Sequence, residues 1–225
     1  MTREERIQKL KDRLLEMKRY ENELYSGGAC FIGGVDEVGR GPLAGPVVAC
    51  CCVLPRDFDI LGVDDSKKLS EKKREELFDQ ITGNALAFGI GEIGPEIIDS
   101  INILEATKLA MKTAVEEADR MLMERSSACI DHMIIDALKL DRVPKPQLSL
   151  IKGDANSVSV AAASIVAKVY RDRMMVSMDE KYPGYGFASH KGYNAPIHQK
   201  ALQTLGPCPE HRRSWAPIKA LLDAA

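Results

Sequence analysis

A run of eight apolar residues from Val47 to Leu54 is the feature that most limits how this chain can fold. Its valines and cysteines favour a β-strand, and Pro46 and Pro55 mark its ends. It is the longest unbroken apolar run in the sequence, and it is far shorter than the roughly 20 residues needed to cross a bilayer. The chain of 225 residues is therefore expected to contain no membrane span and to form one large domain or a domain plus appendages.

The cysteines and the first residues bear on the cellular compartment. The segment from Met1 to Arg19 is highly charged and lacks the apolar core of a secretory signal. The six cysteines show neither a CxxC motif nor paired spacing, which argues against a zinc ribbon and against a disulfide framework. Because free thiols suit a reducing compartment, we expect a cytoplasmic protein.

The alternation of apolar patterns predicts an α/β fold. Strands are expected at 30–35, 47–54, 85–93, 133–135 and 148–151, and helices at 1–26, 71–81, 101–125, 158–178, 195–205 and 215–225. Ser70 is placed to cap the helix at 71–81. Two strands precede the first internal helix. The sheet is therefore expected to be mixed, partly antiparallel and partly parallel, with helices packed on it.

The first helix is a short appendage. Leu10, Leu14 and Met17 recur at helical spacing among charged residues, and Gly27-Gly28 ends the pattern. This pattern predicts a helix that docks on the body of the protein. A helix that binds a separate partner is the alternative.

Acidic residues stand where predicted strands end or a helix is about to begin. Asp36 and Glu37 follow the first strand, Asp136 ends another, and Asp154 precedes the helix at 158–178. Each alone fits an exposed turn or, for Asp154, a favourable interaction with a helix N-terminus. Neighbouring strand residues point to opposite faces, so Asp36 and Glu37 serve one site only if the strand breaks or two metals bind. Together the four carboxylates predict a site for a hard cation such as Mg²⁺ or Mn²⁺.

Three polar loops carry groups suited to nucleic acid. Gly39-Arg40-Gly41 combines close backbone approach with a phosphate partner, Ser66-Lys67-Lys68 is basic, and Lys191-Gly192-Tyr193 offers an aromatic ring to a sugar or base. Taken alone, each of these motifs occurs more often in an ordinary surface loop than in a binding site. None is a Walker A or GxGxxG phosphate loop, which disfavours nucleotide-cofactor folds.

The second part of the chain is basic. Residues 138–225 hold 13 Lys and Arg against 7 Asp and Glu, within a chain of net charge −2. An acidic part beside a basic part is compatible with metal ions plus a polyanion. His190, His198 and His211 are spread along this part, and surface or structural roles are expected for them.

The order of these motifs closely resembles ribonuclease HII. Residues 34–47, GVDEVGRGPLAGPV, match the family signature. Six further motifs follow in family order, so that the resemblance covers about residues 30–217: DSKKLS at 65–70, IID at 134–136, KGD at 152–154, AAASIVAKVYRD at 161–172, GY at 192–193 and HRRS at 211–214. The related ribonuclease HIII group usually has lysine in place of Arg40 and a large N-terminal domain, so type HII is indicated.

The resemblance implies a ribonuclease H-like fold, with a mixed five-stranded sheet flanked by helices and a helical C-terminal part. It implies a catalytic domain at 29–182 and a substrate-binding part at 183–225. The helical extension expected at 1–28 is absent from the shortest family members, and no role is assigned to it. Ala137-Leu138 departs from the Gly-Asn that many bacterial relatives carry after the third acid, which concerns the shape of that loop.

The resemblance also implies the site residues. The metal-site acids of the family correspond to Asp36, Glu37, Asp136 and Asp154, which would hold two Mg²⁺ or Mn²⁺ ions during catalysis. The substrate-binding residues implied are Gly39, Arg40, Gly41, Ser66, Lys67, Lys68 and Tyr193. Lys168 and Arg171 are weaker candidates for phosphate contacts, because their helix can also face the core.

The activity implied is hydrolysis of the RNA strand of RNA–DNA hybrids and cleavage at single ribonucleotides embedded in duplex DNA, leaving 5′-phosphate and 3′-hydroxyl ends. A monomer is expected. A DNA-junction nuclease of the same superfamily, a non-catalytic nucleic-acid-binding protein and a metabolic phosphate-ester enzyme are the competing interpretations. Cleavage of a duplex carrying one ribonucleotide, beside an all-DNA control, separates them.

Overall fold

The sheet contains five strands in the order β3-β2-β1-β4-β5, as seen in a computed structural model that describes residues 2–223. The strands are β1 (Ile32–Val38), β2 (Val47–Val53), β3 (Ala87–Ile93), β4 (His132–Asp136) and β5 (Gln147–Leu150). The helices are α1 (Arg3–Met17), α2 (Arg19–Ser26), α3 (Glu71–Asn84), α4 (Pro95–Ile101), α5 (Ile103–Ser126), α6 (Gly153–Asn156), α7 (Val158–Lys181), α8 (Phe187–His190), α9 (Pro196–Leu205) and α10 (Ala216–Asp223). The expected mixed α/β fold is confirmed.

Strand direction changes at β1. β1 pairs antiparallel with β2 and parallel with β4, while β2–β3 is antiparallel and β4–β5 is parallel. Val35 is in register with Ile135. The next residue of each strand, Asp36 of β1 and Asp136 of β4, therefore lies beside the other at the same end of the two parallel strands.

Both faces of β2 are buried. Cys51 packs in the cluster on the α5 side of the sheet, and Cys50 and Cys52 pack in the cluster on the α3 and α7 side. All seven residues of the strand are buried. The thiols of this run act as small apolar side chains, as the sequence predicts.

The flanking strands bring the long helices close to the sheet through glycines. A Cβ on Gly34 of β1 would overlap the backbone of Ser159 and Val160 in α7, and a Cβ on Gly91 of β3 would overlap the carbonyl of Ala110 in α5. These positions leave no space for a side chain. The helices therefore lie directly on the backbone of the sheet.

Three expectations about local structure need correction. β1 continues through Val38, because Val38 pairs with Val48 of β2, so Asp36 and Glu37 lie inside the strand rather than after it. The N-terminal helix is divided at Lys18 into α1 and α2. The short helices α4 and α8 are absent from the sequence prediction, since seven and four residues are too few to show a helical period.

The N-terminal helices pack on the body, in agreement with the expected docking. Leu14 and Met17 are buried in the cluster that contains Leu54 and Phe58. Within residues 2–223, none of the helices combines the length and the apolar character needed to span a bilayer.

Candidate active site

Four acidic side chains approach one another at the edge of the sheet where β1 and β4 run side by side. Asp36 is buried within β1, and Glu37 follows it with a side chain only 12% exposed. Asp136 ends β4, and Asp154 is buried in the first turn of α6. The topology, with β5 leading directly into α6, brings the fourth acid to the same edge.

Burial and mutual repulsion dominate the electrostatics of this cluster. Burial first, and then the negative charge of Glu37, raise the pKa of Asp36 well above its ordinary value, and Asp136 adds to the effect. Burial also raises the pKa of Glu37, although Arg40 opposes the shift. The pKa of Asp136 is raised by burial and by the charge of Asp154. Asp36, Glu37 and Asp136 therefore repel one another through space, and Asp136 also feels the charge of Asp154. Their role as one metal site stays a prediction.

The acids of β1 have partial hydrogen-bond partners within the chain. The backbone N–H of Glu37 donates to Oδ1 of Asp36 at 2.8 Å. Arg40 donates to Oε1 of Glu37 at 3.2 Å. The other carboxylate oxygen of Glu37, Oε2, is buried and has no hydrogen-bond partner. An orphaned buried anionic oxygen carries a large desolvation cost unless a cation joins it.

The two remaining acids are held by a loop and by a lysine. Asp136 Oδ1 accepts the backbone N–H of Gly153 at 2.6 Å, and Asp154 Oδ2 accepts Lys67 Nζ at 3.2 Å. Residues 2–223 contain no group of three or more His, Cys, Asp or Glu side chains already arranged to hold a metal ion.

The donor set fits a hard divalent cation. Every candidate ligand atom is a carboxylate oxygen, the donor type that Mg²⁺ and Mn²⁺ prefer. Asp36 is buried among like charges, and Glu37 Oε2 lacks a partner. A cation bound between them would offset both costs.

A pair of serines supports the first acid. Ser66 Oγ and Ser164 Oγ are hydrogen-bonded at 2.8 Å in the interior, and Ser164 also lowers the pKa of Asp36 by a hydrogen bond that opposes the effect of burial. Ser164 was given no role in the sequence analysis, although it lies in the AAASIVAK motif. Ser164 directly follows three alanines, and such small side chains indicate that this part of α7 packs close to the sheet and therefore close to the site.

Two buried arginines hold the Gly39-Arg40-Gly41 loop. Arg212 is fully buried and donates to the carbonyls of Gly39, Arg40 and Gly45. Arg171 is also fully buried and donates to the carbonyls of Ala44, Pro46 and Lys191. The loop is thus fixed through its main chain.

The same loop meets the Lys191-Gly192-Tyr193 segment. The N–H of Leu43 donates to the carbonyl of Gly192 at 2.8 Å, and a Cβ placed on Gly41 would lie 3.5 Å from Cε1 of Tyr193. Gly39 has a φ of +90°, and a Cβ there would overlap the guanidinium of Arg171. The exposed ring of Tyr193 and the exposed Arg40 therefore share one surface beside the acids.

The three histidines of the tail, which are spread along the sequence, come together in the structure, and this agrees with the structural role expected for them. His211 Nε2 and His198 Nε2 lie 2.9 Å apart. His198 Nδ1 donates to the carbonyl of Tyr193, and His211 Nδ1 accepts the N–H of Cys208, so the Nε2–H of neutral His211 donates to His198. His190 stacks on His198. Their role is structural, because they hold the backbone that carries Tyr193.

The lysines of the site differ in their availability. Lys67 and Lys68 are exposed, with side chains paired to Asp154 and Asp64. Lys168 instead pairs with Asp172 at 2.6 Å. Arg171 is buried against backbone carbonyls. Lys168 and Arg171 therefore both make internal contacts, and neither is placed to hold phosphate.

The fold and the acid cluster define a ribonuclease H-like protein. The structure resembles that of ribonuclease H2 from Pyrococcus horikoshii OT3, with a TM-score of 0.67 and 27% identity, covering 87% of this chain and 98% of the other. The profile of the ribonuclease HII family matches residues 33–218.

Curated relatives agree with this assignment. Ribonuclease HII of one Bacillus cereus strain is 51% identical over 218 residues, which are 97% of this chain and 81% of the relative. Ribonuclease HII of Listeria innocua is 52% identical over 215 residues, covering 96% of this chain and 79% of the relative. The chain belongs to the ribonuclease HII family. It is therefore a metal-dependent ribonuclease H, an endonuclease that degrades the RNA of RNA–DNA hybrids.

Proposed function

We propose that this enzyme also cuts duplex DNA at single embedded ribonucleotides, with two divalent metal ions. The observation that carries the proposal is the contact of two features: four acids at one sheet edge, and beside them a rigid loop whose Gly41 faces the Tyr193 ring. Such a surface reads one ribose and its neighbour rather than a long stretch of RNA.

Asp36, Glu37, Asp136 and Asp154 are the residues that would hold the metal ions, with Asp36 as the central ligand. When bound, two Mg²⁺ or Mn²⁺ ions supply a clamp on the scissile phosphate and lower the pKa of the attacking water. The reaction forms a P–O bond to water and breaks the P–O3′ bond, which leaves 5′-phosphate and 3′-hydroxyl ends. For Asp154 the alternative to full metal ligation is that it would orient the attacking water instead.

The chain's own residues bind and orient the nucleic acid. Backbone groups of residues 39–41 read the 2′-hydroxyl, which distinguishes RNA from DNA. The ring of Tyr193 packs on the sugar at the junction, and Lys67 and Lys68 bind phosphate without sequence preference. Ser66 is buried against Ser164, so we assign to it support of the basic turn instead of direct contact with substrate.

The remaining expectations complete the proposal. We propose a helical extension at 1–28, a catalytic domain at 29–182 and a substrate-binding part at 183–225. A monomer in the cytoplasm is proposed, and the six unpaired cysteines support that compartment.

The test is a cleavage assay with labelled duplexes. The enzyme with Mg²⁺ or Mn²⁺ is expected to cut a duplex with one ribonucleotide and to leave an all-DNA duplex intact, while chelation of the metal stops the reaction. Tyr193→Ala should reduce cleavage at the single ribonucleotide more than cleavage of a long hybrid. Equal loss on both substrates would remove Tyr193 from junction recognition, and no cut at the single ribonucleotide would refute the proposal.

A further inference from the structure

The N-terminal helices reach the loops that carry the active-site side chains. They lie outside the segment matched by the family profile, residues 33–218. Nevertheless, α1 contacts α6, the helix that contains Asp154. Two side chains of the extension make contacts there: Arg13 of α1 binds Ala155 within α6, and Glu21 of α2 binds Ser157 directly after it.

Arg13 joins two separate loops. Its Nε and Nη2 donate to Oδ2 and Oδ1 of Asp64 at 2.9 and 3.1 Å, a paired geometry that fixes the guanidinium plane. The same Nη2 donates to the carbonyl of Ala155 at 2.7 Å. Asp64 begins the turn that holds Lys67, and Ala155 directly follows Asp154. One guanidinium therefore ties together the two sides of the Lys67–Asp154 pair.

Glu21 anchors the other end of the Asp154 segment. It is 4% exposed, and its Oε1 accepts Ser157 Oγ at 2.5 Å, Ser159 N at 3.0 Å and Ser159 Oγ at 2.6 Å. Ser157 is the N-cap of α7. Arg13 thus holds α6 at Ala155, and Glu21 holds the residues that follow α6, so both contacts lie just after Asp154 in the chain.

We propose that Arg13 and Glu21 are positioning residues, which keep Asp154 and Lys67 in the geometry needed for cleavage. This inference rests on the proposed function of the acid cluster. In this role the two side chains act through the segments that they hold and not on the substrate. The extension fixes two loops that are 87 residues apart in sequence and meet at the Lys67–Asp154 contact. Loss of such supporting contacts around a metal site typically costs about 10–100-fold in activity or metal affinity.

The experiment compares Arg13→Ala with Arg6→Ala, which removes an exposed arginine two turns earlier on the same helix. Both full-length variants are assayed with Mn²⁺ on the single-ribonucleotide duplex, well below the unfolding temperature. Arg13→Ala is expected to lower kcat about 10-fold or more with little change in KM. Arg6→Ala should match the unaltered enzyme. Arg13→Lys should recover part of kcat, because an ammonium can still pair with Asp64 but cannot bridge to Ala155.

A second measurement does not depend on catalysis. Hydrogen exchange in the metal-free protein should show faster exchange at residues 64–69 and 152–157 in Arg13→Ala, and unchanged exchange in α5. Asp64→Asn should produce the same effects, and the double variant should be no worse than either single one.

The outcomes separate the two proposals. If the unaltered enzyme cleaves and Arg13→Ala matches Arg6→Ala in both kcat and local exchange, the positioning role is overturned while the proposed function stands. If the unaltered enzyme fails to cleave, the proposed function is refuted, and the exchange data still decide whether Arg13 holds the two loops.

Discussion

Two neighbouring regions of this enzyme bury charge in opposite ways. In the acid cluster, burial and repulsion raise the pKa of Asp36, and Glu37 Oε2 has no partner. The second region is the pair of arginines, Arg171 and Arg212, that holds the Gly39-Arg40-Gly41 loop and is called the loop clasp. These side chains are equally buried, but each donates to three backbone carbonyl groups. Burial lowers the pKa of Arg171 to about 10 and of Arg212 to about 9, so both remain cations at neutral pH.

This difference separates buried charges that stabilise the fold from buried charges that are suited to bind a ligand. A buried charge whose hydrogen bonds are satisfied fixes the shape of its surroundings, whereas one without partners is costly and gains most from an incoming cation. The arginines fix the loop that is proposed to read the ribose. The acids are the part left incomplete by the chain itself.

The largest expected effect comes from a change in the acid cluster. Asp36→Asn should reduce cleavage by at least about 10²–10³-fold, the usual loss when one stabilising group is removed from an active site. The free energy of unfolding should not fall, because the change removes a buried charge facing Glu37 and Asp136. Cleavage rates and urea unfolding measure both effects. Asp57→Asn, at an exposed position, is the matched control. Retained turnover in Asp36→Asn would remove this residue from the metal site.

A change in the loop clasp should lower the free energy of unfolding. Arg212→Ala leaves the carbonyls of Gly39, Arg40 and Gly45 without donors, and we expect a loss of about 3–5 kcal/mol in the free energy of unfolding. Arg213→Ala, at the exposed neighbour, should change it by less than about 0.5 kcal/mol. Urea denaturation of both variants checks this. Similar stabilities for the two would show that the clasp does not hold the loop.

Acid should weaken the support of Tyr193. Tyr185 and Cys208 contact the His211 ring. Burial, and then the nearby His198, lower the pKa of His211 to about 4 from an ordinary 6.5, and the charge of His190 adds to the shift. The unfolded chain therefore binds more protons between these pH values, and stability falls as pH drops through this window. By pH 5 this histidine alone should cost about 2 kcal/mol.

The control for this effect is His211→Gln. Unfolding free energies of both proteins at pH 7, 6 and 5 give the difference attributable to the imidazole. The variant should lose less stability on acidification than the unaltered protein. Parallel pH profiles would mean that His211 is not kept neutral by its surroundings.

The smallest expected effect concerns Ala137, which follows Asp136 with a left-handed φ of +50°. Such a conformation costs an alanine about 1–2 kcal/mol, partly offset by the greater freedom of glycine in the unfolded chain. Ala137→Gly should therefore stabilise the protein by up to about 1 kcal/mol. Thermal unfolding measures the gain, and destabilisation would show that the alanine methyl group packs favourably there.

The sequence predicted what depends on local pattern. The ends of β2 were placed within one residue, and Ser70 caps α3 as predicted, because these features rest on a short apolar run and on one side chain. The extension of β1 through Val38 was missed, since strand length there depends on pairing with Val48. The four acids and the three loops of the candidate site were selected through motif order, and their roles stay predictions.

The parts that the sequence did not predict depend on distant contacts. His198 and His211 are 13 residues apart, and no local pattern indicates that their rings meet. Arg212 lies 167 residues from Gly45, whose carbonyl it binds. Arg13 looked like any charged residue of an exposed helix face until Asp64 and Ala155 were seen beside it.

The uniformly apolar β2 has a consequence for how the sheet is aligned during folding. Sliding VVACCCV by one position exchanges one small apolar side chain for another, so this strand by itself scarcely distinguishes correct from shifted pairing. Gly34 and Gly91 do discriminate in the adjacent strands, because a side chain at either position would overlap the backbone of α7 or α5. The placement of β1 and β3 against the helices is therefore strict, whereas β2 adds little discrimination of its own.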